Sequence, residues 1–152
     1  MITDIELAGR AFLEARFATM PALDGLTYHL VEATSREDMP EDRPTIVVEM
    51  RENPDVLKLR ALRTFFLVCR IVTPAQLSGS IQDIHRVLEV AIQDAWEDDP
   101  TAVATAWNDA VVAQMTGWHS GGVYPGNWEP GREENAWTPG YAIYLGVAKD
   151  GV

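Results

Sequence analysis

The chain has 152 residues, enough for one domain around a single hydrophobic core. Hydrophobic residues make up 47% and charged residues 23%, the range of ordinary globular domains, which excludes a wholly disordered chain. A net charge of -11 with only two lysines, Lys58 and Lys149, argues against a general nucleic-acid binder and against an electrostatic membrane binder, since both need clustered positive charge.

Thr3 with Glu6 three residues on forms a capping-box pattern and opens the first predicted helix. Ile5, Ala8, Ala11, Phe12 and Ala15 recur at helical spacing on one face, with Glu6, Arg10 and Glu14 on the other. The acidic start speaks against a secretory signal, and no run reaches the roughly 20 apolar residues that cross a bilayer. Beyond Pro21 to Gly25 a short strand is expected over Leu26 to Ala33. Thr34 to Pro44 is charged, carries two prolines and reads as an exposed loop. Thr45 to Met50 is β-branched and predicts a strand, followed by a turn at Asn53-Pro54. In Leu62 to Thr73, Phe65, Leu67, Cys69 and Ile71 share one face and Thr64, Phe66, Val68, Arg70 and Val72 the other. Both faces are largely apolar, so this segment predicts a central strand covered on both sides. Cys69 is the lone cysteine; it excludes an internal disulfide and reads as a small buried hydrophobe.

Ser80 is placed to cap a second helix, with Asp83 in its first turn. Ile81, Ile84, Leu88, Ala91, Ile92 and Ala95 fall in one arc with Gln82, Arg86, Gln93 and Asp94 opposite, so this helix is expected to lie on the sheet. Glu97-Asp98-Asp99-Pro100 ends it, with carboxylates at the unfavourable end of the helix dipole. Thr101 to Met115 predicts a further helix with a loose stripe of Val103, Ala106, Val111 and Val112. The remainder is rich in glycine and aromatic residues. Strands are expected over Gly122 to Trp128 and Thr138 to Ala148, the latter with Tyr141, Ile143, Leu145 and Val147 in alternation. The elements sum to one α+β domain over 1–152. Its sheet is expected to be mixed and mainly antiparallel, with amphipathic helices packed on one face and a Gly/Trp-rich hairpin region at about 117–148.

No catalytic, cofactor-binding or metal-binding residues are predicted. His29, His85 and His119 are far apart, without companion cysteines at zinc-ligand spacing, and His85 on the border of an apolar helix face reads as structural. No hydrolase or nucleotide-binding fingerprint is present, and Glu97-Asp98-Asp99 and Glu133-Glu134 read as solvated surface. Two features stand out instead. Arg51, Lys58, Arg60, Arg63 and Arg70 against Glu52 and Asp55 give one segment a charge of +3 within a chain of -11. Such a segment suits head-to-tail docking between copies, or a strand edge kept solvated. Trp118, Tyr124, Trp128, Trp137, Tyr141 and Tyr144 lie among glycines and prolines, as a satellite core or a contact surface. The candidate interface residues are Arg51, Lys58, Arg60, Arg63, Trp118, Tyr124, Trp128 and Trp137.

Taken in order, the N-terminal amphipathic helix, the charged loop ending in Pro44-Thr45-Ile46-Val47-Val48, the long strand Leu62 to Thr73, the amphipathic helix Ser80 to Trp96, Gly121-Gly122-Val123-Tyr124-Pro125-Gly126 and a last strand from Gly140 to Val147 resemble the tail terminator (tail-completion) proteins of long-tailed phages and related tail-like particles. The resemblance implies a structural virion protein, without cofactor or catalysis. It would form a hexameric ring that caps the tail tube and joins it to the head-side connector. The implied partners are copies of the chain, the tail tube protein and the connector or neck protein, at the tail/neck junction of a virion assembled in the host bacterial cytoplasm. DNA would pass the acidic channel wall without specific binding. The stretch Glu97 to Ser120 departs from the pattern, as an extra helix or an arm towards the connector. A head-tail connector (neck) protein is therefore the alternative, and a small ligand-binding domain or enzyme with a pocket of Trp118, Trp128 and Trp137 is the alternative of another class.

Overall fold

The computed structural model describes residues 2–35, 43–52, 61–74, 79–133 and 136–151. In chain order these form α1 (Ile2–Phe17), β1 (His29–Glu32), β2 (Thr45–Glu52), β3 (Leu62–Pro74), α2 (Gly79–Glu97), α3 (Pro100–Gln114), β4 (Trp118–Glu129), β5 (Arg132–Glu133), β6 (Ala136–Trp137) and β7 (Gly140–Lys149). The main sheet has the order β1-β2-β3-β7-β4. All its pairings are antiparallel except β1 with β2, which is parallel. The end of β3 also pairs with β6, which pairs with β5. The fold is α+β, as the order of patterns predicts.

The three helices cover one face of this sheet. Strand alternation sends Ile46 and Val48 of β2, Phe65, Leu67, Cys69 and Ile71 of β3, and Tyr141, Ile143, Leu145 and Val147 of β7 to that side, all buried. Ile5, Ala8, Phe12 and Leu13 of α1 and Leu88, Ala91, Ile92 and Ala95 of α2 pack onto them in the same core. Each fully buried side chain of this size contributes about 1.5–3 kcal/mol of transfer free energy. Gly9 allows α1 to sit close, since a Cβ there would stand 2.6 Å from Leu67 Cδ2 and 2.8 Å from Val48 Cγ1.

The segment 97–120 holds α3, a helix built into the core. Trp107 is fully buried at its centre, 6.4 Å from the Phe12 ring and 6.0 Å from Trp96, which itself stacks on Phe12 at 3.8 Å. The loose stripe read from sequence is corrected here. Val103, Trp107, Ala110 and Val111 form the buried face, whereas Val112 is 55% exposed. The acidic cluster also changes meaning. Asp99 is the N-cap of α3, its side chain accepting the Ala102 N–H at 3.3 Å, with Pro100 in the first turn. A carboxylate there meets the favourable end of a helix dipole, which offsets its place behind α2.

Other expectations are corrected as well. Glu6 lies on the buried side of α1 and does not close a capping box, because both carboxylate oxygens are engaged by residues distant in sequence. The first strand shortens to His29–Glu32, and the final strands shift to Trp118–Glu129 and Gly140–Lys149. Most of the charged loop and the Asn53-Pro54 turn lie outside the described residues. Strand β3 is central as expected; among the described residues helices lie on one of its faces, and Val68 and Val72 on the other face are buried as well.

Candidate functional site

The second face of the sheet carries no helix among the described residues. Its composition follows from register. Arg51 on β2 pairs with Phe66 on β3, Phe66 with Tyr144 on β7, and Tyr144 with Tyr124 on β4. Four strands thus align one residue each in a row across the sheet. The Phe66 and Tyr144 rings lie 5.4 Å apart and those of Tyr144 and Tyr124 5.5 Å, both tilted, within the range of favourable aromatic pairs. The Arg51 guanidinium carbon stands 5.8 Å from the Phe66 ring centre, a cation–π distance. Phe66 and Tyr144 are half-buried and Tyr124 is 52% exposed.

Charges around the row are balanced. Arg51 Nη2 donates to both carboxylate oxygens of Glu129 at 2.9 Å, which ties β2 to β4 across the two strands between them. Arg70 donates from Nη1 to the Thr138 carbonyl at 2.7 Å. Glu49 stands exposed on the same face. Val47, Val68, Val72 and Ala142 lie on the same face and are buried.

The sequence-derived candidates divide accordingly. Arg51 and Tyr124 come together in the row. Arg63 is exposed on the opposite side of β3, so the basic segment does not form one patch. Lys58 and Arg60 lie outside the described residues. Trp118 and Trp128 stand at opposite ends of β4, paired with Lys149 and Tyr141, and both pack against the core. That separation is about 30 Å for a strand of this length. Trp128 donates its indole N–H to Gln93 Oε1 at 3.0 Å and lines a shallow groove of about 320 Å³ with Glu89, Glu129, Pro130 and Pro139. The backbone of Trp137 pairs with Thr73 and Arg132, and its side chain lies outside the described part. Tyr144 belongs to the aromatic group read from sequence as a satellite core or contact surface, whereas Phe66 was not singled out as a contact residue. Their alternation within strands was visible, but their alignment depends on the pairing register.

A second polar cluster tests the catalytic alternative. His85 of α2 is buried, with Nδ1 2.6 Å from Thr73 Oγ1 and Nε2 2.7 Å from Glu89 Oε1. Because a carboxylate only accepts, the imidazole donates through Nε2, and when neutral it accepts the Thr73 hydroxyl proton. The hydroxyl, imidazole and carboxylate resemble a nucleophile relay, but the exposure is reversed. Thr73 is fully buried while the Glu89 side chain is 41% exposed, so the hydroxyl faces no substrate. The cluster pins α2 to the end of β3. Cys69 is equally withdrawn, its burial pushing the thiol up to about 12, above the range of a reactive thiolate. Among the described residues no three His, Cys, Asp or Glu side chains group as metal ligands.

No protein-family model matches this chain, and no curated protein matches it in sequence.

Proposed function

We propose that this chain is a structural subunit that works by assembling into a ring, closing the tail tube of a phage-like particle and joining it to the head-side connector. The observation that carries the assembly reading is the row of Arg51, Phe66, Tyr144 and Tyr124 on the second sheet face, where no helix lies among the described residues and Tyr124 is 52% exposed. Aromatic residues and arginine are the side chains most often decisive at protein interfaces. The tail-terminator assignment is supported by the order of elements: an N-terminal helix, the long β3, the amphipathic α2 and a closing β7. Segment 97–120 departs from that order and holds an extra helix, α3, packed into the core. In this reading the chain uses no cofactor, and its acidic balance keeps passing DNA from adhering to the channel.

Light scattering after size exclusion, with and without tail tube protein, tests the proposal. A closed ring of about six copies, alone or on the tube, is the expected result. A monomer that ignores the tube overturns it. The alternative pocket of Trp118, Trp128 and Trp137 loses Trp118, which stands at the other end of β4 from Trp128. A ligand-binding reading is left with the Trp128 groove, and a monomer whose tryptophan fluorescence shifts with a small ligand would establish it.

A further inference from the structure

Strand β4 stands at one end of the main sheet and pairs with β7 alone among the described residues. At 12 residues it is the longer of the two outer strands, β1 having four. An outer strand turns every second N–H and C=O away from its neighbour, which offers a ladder to any extended chain that arrives. His119, Gly121 and Tyr124 are exposed along β4, so the strand reaches the surface.

The outward amides of its first half are already taken. Trp118 N–H donates to the Met115 carbonyl at 3.1 Å, and Ser120 N–H donates to Asn108 Oδ1 at 2.9 Å. The two donors are two residues apart, so strand alternation points them to the same side. Both acceptors come from α3: Asn108 lies within the helix and Met115 is its C-cap residue. The neighbour of Asn108 fixes its place, since Trp107 is fully buried and donates its indole N–H to the Gly146 carbonyl on β7 at 3.4 Å. The second half of β4 is closed differently. Register shifts between Ser120 and Gly122 and again between Tyr124 and Asn127, and Pro125 has no N–H to offer.

We propose that α3 is a built-in block on the β4 edge, with Asn108 Oδ1 standing where the carbonyl of an added strand would stand. Copies of the chain therefore do not lengthen one another's sheets through β4, and the contact is autoinhibitory towards strand addition. The register shifts and the proline are written into the backbone, whereas the Asn108 contact is one side-chain hydrogen bond that a single substitution removes. The block does not depend on the ring reading, because each variant is compared with the parent protein in whatever state the parent adopts.

Single-residue amide hydrogen exchange, thermal melts and light scattering on the full chain test it. In the unaltered protein Ser120 N–H should exchange slowly, as ladder amides do, despite its outer position. Asn108→Ala should speed that exchange about tenfold, the worth of one hydrogen bond. With a melt close to the parent's, it should also form species larger than the parent's that grow with concentration. Asn108→Asp keeps an acceptor oxygen and should match the parent in both readings. Adding Ser120→Pro to Asn108→Ala removes the freed donor, a change that an outer strand tolerates, and should restore the parent's mass. A Ser120 amide that exchanges as fast as in an unfolded peptide overturns the proposal without any substitution. So does an Asn108→Ala variant no larger than the parent, or a double variant that stays enlarged, since association then runs through another surface.

Discussion

Glu6 of α1 accepts the backbone N–H of Met50 on β2 at 3.0 Å, across 44 positions of sequence. Its other carboxylate oxygen accepts the Thr34 N–H at 2.8 Å and the Thr34 hydroxyl. Glu6 is 2% exposed, so one buried carboxylate satisfies donors from two segments and fixes how the first helix sits on the sheet. Glu6→Ala leaves these part-buried donors without their acceptor and should destabilise the protein by about 1–3 kcal/mol. Glu6→Gln keeps one acceptor oxygen and should fall between the two. Urea unfolding midpoints of the three proteins check the order.

The ion pair of Arg51 and Glu129 should behave differently. The two side chains are 45% and 36% exposed, and surface pairs of this kind contribute at most about 1 kcal/mol. Arg51→Ala and Glu129→Ala should therefore melt close to the parent protein, while Arg51→Ala reduces the assembled fraction. Thermal melts and light scattering on the same samples separate the two effects.

Alkaline pH should weaken the fold through Cys69. Burial raises its folded-state thiol from 9.0 to about 12. In the unfolded chain the thiol loses its proton near its ordinary value, so its stabilising contribution is complete below pH 9.0 and is lost as pH rises towards about 12. The slope in that window is about 1.4 kcal/mol per pH unit for one group. Tyr141 acts in the same direction from about pH 10, because burial, then its hydrogen bond to Glu97, hold the phenol protonated. Unfolding free energies at several pH values between 9 and 11 should fall steadily. Cys69→Ala should flatten that slope without removing the part due to Tyr141.

Gly126 lies where β4 departs from regular register with β7, between the pairs of Tyr124 and Asn127. A Cβ at this position would stand 2.3 Å from the Ala142 carbonyl oxygen, and backbone atoms cannot swing aside as a side chain can. Gly126→Ala should cost about 1–3 kcal/mol, as other overpacked sites do. Hydrogen exchange should show the loss of protection centred on the β4–β7 ladder.

Much of the architecture follows from local pattern. The helical period of Ile84, Leu88, Ala91, Ile92 and Ala95 and the two-residue period of Phe65, Leu67, Cys69 and Ile71 are properties of short segments, and these residues lie in or against the core as the periods require. The central position of β3 was legible for the same reason, since a strand apolar on both faces belongs inside a sheet. Other features depend on residues that meet only after folding. Glu6 looked like a solvated helix residue because its three donors come from Thr34 and Met50. Asp99 looked like the tail of α2 until the turn that follows made it the cap of α3. The row of Arg51, Phe66, Tyr144 and Tyr124 spans four strands, and a shift of one residue in any ladder would scatter it to both faces. Periodicity therefore assigned the elements and the buried face of α2. Strand register, which sums hydrogen bonds and packing over the whole sheet, decided which side chains stand together on its second face.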